Sequence, residues 1–325
     1  MSGKAALEKK IEHLRLIRDS PATAEKDLRR ALQDKNGFFV SKAAALAGEL
    51  HLTALTADLE TAFERFLQDP VKTDPQCWAK IAIIKALRQW EHKDPQIFLS
   101  GLTHVQREPV WGGEADTAAP LRGSCAIALV QCQLTDLEIL THLTAGLADP
   151  EKTVRLDTAS AIAALNSEMG VLLLRLKILL GDSEPEVMGQ CFVSLLDLGQ
   201  PEDIPFVARF LGRAHGEEIQ AEAIAALAQA KAAPGLEVLQ KAWKGPLSTV
   251  LRKTLILSLA GSPLPSSADF LLSVLDGESG EKAEWAIESL ASSRYRGQVE
   301  ERVRALVERR ESEPRLREAF SKRFA

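Results

Sequence analysis

The 325-residue chain is poor in the features that mark whole classes of protein. No apolar run approaches the roughly 18 uncharged residues that a membrane helix needs, since the most apolar stretch, residues 170–180, is broken by Arg175 and Lys177. The charged start, Met1-Ser2-Gly3-Lys4 followed by Glu8, Lys9, Lys10 and Glu12, holds no uncharged stretch of the kind a secretory signal requires, and a cytoplasmic chain is expected. Four cysteines, Cys77, Cys125, Cys132 and Cys191, are too few and too scattered for a disulfide scaffold, and none forms C-x-x-C, so buried thiols in a reducing compartment are expected. The six histidines make no His-x-x-x-His or His-Glu pair, and Glu91-His92 stands alone in reversed order. The glycine motifs of a nucleophile elbow, a P-loop and a dinucleotide site are all missing. These gaps predict no cofactor, no metal and no catalyst.

Charge is present in quantity but unevenly placed. Residues 1–35 carry a net +3 and residues 294–325 a net +4, which leaves −12 between them. An acidic body repels phosphate, so general nucleic-acid binding is disfavoured and a protein or peptide partner is favoured.

What the chain has in abundance is internal repetition. Leu147-Ala148-Asp149-Pro150 leads to Val154-Arg155 and Ala159; Leu180-Gly181-Asp182 leads to Val187 and Phe192; Leu211-Gly212 leads to Ile219 and Ile224. Extending the register gives anchors at Val40, Trp78, Leu121, Val154, Val187, Ile219, Val250 and Lys282, separated by 31 to 43 residues. Each unit reads as two helices: Leu137, Leu140, Leu143 and Leu147 give one stripe at helical spacing, and an Ala-rich partner gives the other. Strand-type alternation is absent.

A unit of the form Leu-x-Asp-x-x-x-x-Val-Arg-x-x-x-Ala, carried best by Leu147, Asp149, Val154, Arg155 and Ala159, resembles the HEAT-like repeats of bacterial proteins, including the short type of the phycobilisome-lyase group. The resemblance implies an all-α, right-handed α-solenoid of the armadillo/HEAT kind with about eight helix pairs. The corresponding division is a single domain over 1–325: an N-terminal cap helix in 1–21, the repeats in 22–293, and a C-terminal cap helix in 294–325. HEAT-repeat hydroxylases with a di-iron centre use repeated His-Glu pairs, which this sequence does not contain.

The repeat is interrupted once. A loop insertion at about 103–121 contains Trp111 before two glycines, flanked by Arg107, Glu108, Glu114, Asp116 and Arg122. A large aromatic among charges of both signs is the composition of a binding hot spot, against the plainer reading that Trp111 folds down over an apolar edge. In HEAT-like solenoids the second helix of each pair lines the concave groove, which makes Lys80, Arg122, Arg155, Asp157, Gln190, Glu222 and Lys253 groove candidates. The resulting expectation is a non-enzymatic protein-binding scaffold using the groove and the Trp111 loop. Two alternatives stay open: a nucleic-acid module resembling the HEAT-like alkylpurine DNA glycosylases, with Trp111 and Asp116 at the lesion, and a bilin lyase or chaperone with Cys125 and Cys132 as its thiol pair.

Overall fold

A computed structural model describes residues 3–18, 21–310 and 312–324, and the chain divides into two compact units, 1–170 and 171–325. The architecture is all-α and repetitive apart from one small ribbon, with no cis peptide bond among the described residues. The first unit contains α1 (Gly3–Arg18), α2 (Pro21–Leu32), α3 (Gly37–Glu49), α4 (Thr56–Phe66), α5 (Pro70–Thr73), α6 (Trp78–Gln89), α7 (Gln96–Leu102), α8 (Ala119–Leu129), α9 (Asp136–Gly146) and α10 (Lys152–Ala164). Between α7 and α8 stand β1 (Arg107–Val110) and β2 (Gly113–Asp116). Helix α11 (Glu168–Leu180) leads into the second unit. There follow α12 (Pro185–Asp197), α13 (Asp203–Ala208), α14 (Glu217–Gln229), α15 (Ala233–Trp243), α16 (Thr249–Ser258), α17 (Pro265–Gly277), α18 (Glu281–Ser292), α19 (Arg296–Arg309) and α20 (Pro314–Phe324).

Within the first unit α3, α6, α8 and α10 pack side by side in chain order; within the second, α12, α14, α16, α18 and α20 do the same. All eight anchors fall in the first turns of helices in these two rows. Helix α9 shows why the pairs form. Thr135 caps its N-terminus, accepting from the Glu138 amide at 3.3 Å while Glu138 accepts from the Thr135 amide at 2.8 Å, so two orphan donors are satisfied. The helix then buries Ile139, Leu140, Leu143 and, just beyond its end, Leu147. Each such side chain contributes roughly 1.5–3 kcal/mol by leaving water. Leu137, expected in that stripe, points outward at 63% exposure, and Ile139 takes its place.

Three further expectations change. In the sixth to eighth repeats the buried position comes one residue after the anchor, at Gln220, Leu251 and Ala283, while Val250 is exposed. Residues 294–325 contain two helices where one cap was expected, α19 against α17 and α20 against α18. The insertion is a β-hairpin, although no strand was expected: Arg107 pairs with Asp116 and Val110 with Gly113, leaving Trp111 and Gly112 as the turn. Gly112 supplies the positive φ of 91° that the second turn residue requires and that a side chain resists.

Candidate functional site

A ribbon with four residues per strand is marginal by itself in water. Here its base is fastened by a buried polar network. Glu108 turns inward, and its Oε1 accepts from the Gln76 amide, the Gln106 side-chain amide and the Thr117 hydroxyl, each at 2.6 Å. Gln106 also donates to the Asp74 carbonyl at 3.0 Å and accepts from the Cys77 thiol at 3.1 Å. Burial opposes ionisation of Glu108, yet the Thr117, Gln106 and Gln76 donors outweigh it and hold the carboxyl below its ordinary range.

Arg122 on α8 is the second fastening point. Its Nε and Nη2 grip Asp149 at 2.8 and 2.9 Å, while Nη1 donates to Asp116 at 2.6 Å and to the His104 carbonyl at 2.9 Å. Asp116 also accepts from the Gln106 and Ala118 amides, both at 3.0 Å. Burial works against the charge on both residues, but the donors on Asp116 keep its carboxyl low, and Asp149 and Asp116 raise the Arg122 guanidinium. Beneath the hairpin, Lys80 is fully buried and pairs with Asp74 at 3.0 Å, with the Phe66 carbonyl at 3.1 Å.

On this base the ribbon's tip stands clear of the protein. Trp111 is fully exposed, so it does not fold down over an apolar edge, and Arg107, Val110 and Glu114 are exposed with it. Beside the ribbon a groove of about 510 Å³ opens between α7 and α9, lined by Leu99, Leu102, Val105, Arg107 and His142.

The residues expected at the site therefore separate into two groups. Arg107, Trp111 and Glu114 are exposed; Asp116 and Arg122 are held inside by one another, and Glu108 by Gln76, Gln106 and Thr117. Arg155 is buried and donates to the Asp149 and Pro150 carbonyls at 2.8 and 2.9 Å. Asp157, half-buried, lies against Gly123, and burial raises its carboxyl despite Arg88 and Lys85 nearby. In the second unit Gln190 donates to Ser194 at 3.1 Å, Glu222 packs against Gly189 with its carboxyl raised by burial, and Lys253 sits over the buried Trp285 ring. Lys80 cannot line a groove from its buried position.

Sequence reading missed Gln106, Asp74 and Thr117. Asp74 alone left a trace, six residues ahead of a lysine on an apolar face. All four cysteines are buried, and burial lifts the Cys77 and Cys132 thiols to about 11 and Cys191 to about 12, with Cys125 raised further. Among the described residues no three His, Cys, Asp or Glu side chains converge as metal ligands, and no helix is long and apolar enough to cross a membrane.

This is a helical repeat architecture, with one exposed hairpin set on stacked helix pairs. Residues 140–228 match the family model for HEAT repeats, and the chain carries repeats of that kind. No curated protein matches it. A solved structure of human deoxyhypusine hydroxylase in complex with glycerol is similar over 79% of this chain and 97% of its own, at 16% identity and a TM-score of 0.30. The expectation, drawn from missing motifs, that the chain is not an enzyme is withdrawn, that similar structure being by name an enzyme.

Proposed function

We propose that the chain is a binding scaffold for a partner protein and that the Trp111 hairpin is a principal contact. The observation carrying this reading is a fully exposed tryptophan at the tip of a ribbon whose base is fixed by two buried carboxylates, each accepting three hydrogen bonds. Tryptophan is enriched among hot-spot residues because it offers large area with few torsions to immobilise. Arg107 and Glu114 set opposite charges beside it, which suits a mixed protein surface better than a phosphate track. The glycosylase-like alternative loses support because Asp116, its acidic candidate, is locked to Arg122, and the lyase alternative because burial disfavours the Cys125 and Cys132 thiolates.

The test places a photo-crosslinking phenylalanine analogue at position 111 in cells, with nuclease-treated and untreated arms. A discrete protein adduct, together with binding of that purified protein by wild type and not by Trp111→Ala, is the expected result. Adducts only to nucleic acid, or a partner bound equally by Trp111→Ala, would refute the reading.

A further inference from the structure

A second groove lies well away from the hairpin in sequence, between α3 and α6, with a volume of about 430 Å³. Its head is aromatic: the Phe38 and Trp78 rings are 4.8 Å apart and inclined at 60°. Trp78 begins α6 at a repeat anchor and is 41% exposed, because the buried position falls one residue later at Ala79, as it does at Leu251 after the exposed Val250. Ala79 packs the helix pair in its place, which leaves the Trp78 side chain lining the groove. The floor between the helices is built of small side chains, Ala45 and Ala82 among them.

The rims carry charge of one effective sign. Lys42 stands on α3 with its Nζ 5.1 Å from the Phe38 ring centre, and Lys85 stands on α6. Both are exposed, and neither is in an ion pair among the described residues. Lys85 feels the Asp157 carboxylate only at longer range. The one carboxylate on the groove, Glu49, is already paired with Arg18. From Phe38 to Glu49 the groove follows about 16 Å of helix, the length of roughly five residues of extended chain.

We propose that the α3–α6 groove recognises a linear acidic segment of a partner protein, seating one bulky apolar side chain against Phe38 and Trp78 and setting adjacent carboxylates on Lys42 and Lys85. An open groove of this length suits a chain more than a compact small molecule, and the unpaired lysines supply the complementary charge. The proposal holds whether or not the Trp111 hairpin binds anything, because it uses different helices.

The experiment is a selection of random heptapeptides displayed on phage against the intact chain, run in parallel against Lys42→Glu/Lys85→Glu, Trp78→Ala and Trp111→Ala. Both lysines are exposed, so the charge-reversed protein should keep its circular dichroism and melting profile. Wild type should enrich peptides with Asp or Glu beside Leu, Ile, Phe or Trp, and the charge-reversed protein should switch to Lys or Arg. The best peptide, resynthesised with a fluorophore, should lose tenfold or more in affinity on charge reversal and on Trp78→Ala, and be unaffected by Trp111→Ala. The proposal is overturned by no enrichment above a blank surface, by enriched peptides without carboxylates, or by binding that survives charge reversal. It is equally overturned if labelled duplex DNA binds the groove in preference to the peptide and is lost on charge reversal.

Discussion

Replacing Arg122 with methionine removes the one cation that two carboxylates share. Asp116 and Asp149 have side chains only 6% and 12% exposed, so neither can recover its lost partner fully from water. Breaking a buried pair on one side costs about 3–5 kcal/mol. The lower end applies here, because Asp116 keeps the Gln106 and Ala118 amides and Asp149 keeps the Glu151 amide at 2.9 Å. In a unit of 170 residues, about 3 kcal/mol corresponds to a fall of roughly 6–12 °C in melting temperature. Calorimetry measures the fall, and hydrogen exchange localises it: the amides of Gln106, Thr117 and Ala118, all bonded within the hairpin base, should lose protection first.

The effect also has a pH signature. The folded carboxyl of Asp116 lies below its ordinary value of 3.8, so its contribution is fully present above that value and disappears as pH falls through the lower folded one. Wild type and variant should therefore converge below pH 3.8. A loss under about 1 kcal/mol at neutral pH, or a difference that persists unchanged in acid, would refute the claim that this cluster fastens the ribbon.

Gly37→Ala should destabilise the first unit by about 2 kcal/mol in urea unfolding, since the new methyl would lie 2.9 Å from the Asp74 Cα and the Thr73 carbonyl, both backbone. Asp157→Asn should raise the melting temperature at pH 7: burial raises the folded carboxyl above its ordinary 3.8, so stability is lost as pH rises through the folded value, and the gain should shrink toward pH 3. A thiol-specific chromogenic disulfide should label none of the four cysteines in the native chain and all four in denaturant, and rapid native labelling of Cys77 would contradict its burial. Trp111→Ala should leave the melting temperature within about 1–2 °C of wild type, as expected of a fully exposed side chain.

The repeat was legible because its signal is periodic and local. Leu147, Val154 and Ala159 recur as a pattern that any window of a dozen residues displays, and the helices fall where those anchors place them. The hairpin's position was legible too, as excess length before Trp111-Gly112-Gly113. Its strand character was not, because only Glu108 in β1 is buried and no alternation is left to read. The network was invisible for a different reason. Its cross-repeat partners are 27 to 32 residues apart, as in Arg122 with Asp149 and Gln76 with Glu108, and only the stacking of one repeat on another brings those together. Reading charge as a surface property then sent Glu108, Asp116, Arg122, Arg155 and Lys80 to the wrong side of the protein. Trp78, given as a repeat anchor, is 41% exposed and lines the α3–α6 groove.

Why the hairpin is held by polar groups follows from its size. Four-residue strands whose Arg107, Pro109 and Val110 face outward have almost no apolar area with which to grip the helices. An apolar contact that small would also be non-directional and allow the ribbon to roll. Glu108 instead accepts three hydrogen bonds on one oxygen, and any rotation of the strand leaves a buried carboxylate or one of its donors unmet. The cost of misplacement selects a single pose for the base, and with it a fixed direction for the tip. The backbone beneath Trp111 is held in this way while its fully exposed side chain keeps its rotamers, so in the proposed contact only the side-chain torsions remain to be ordered.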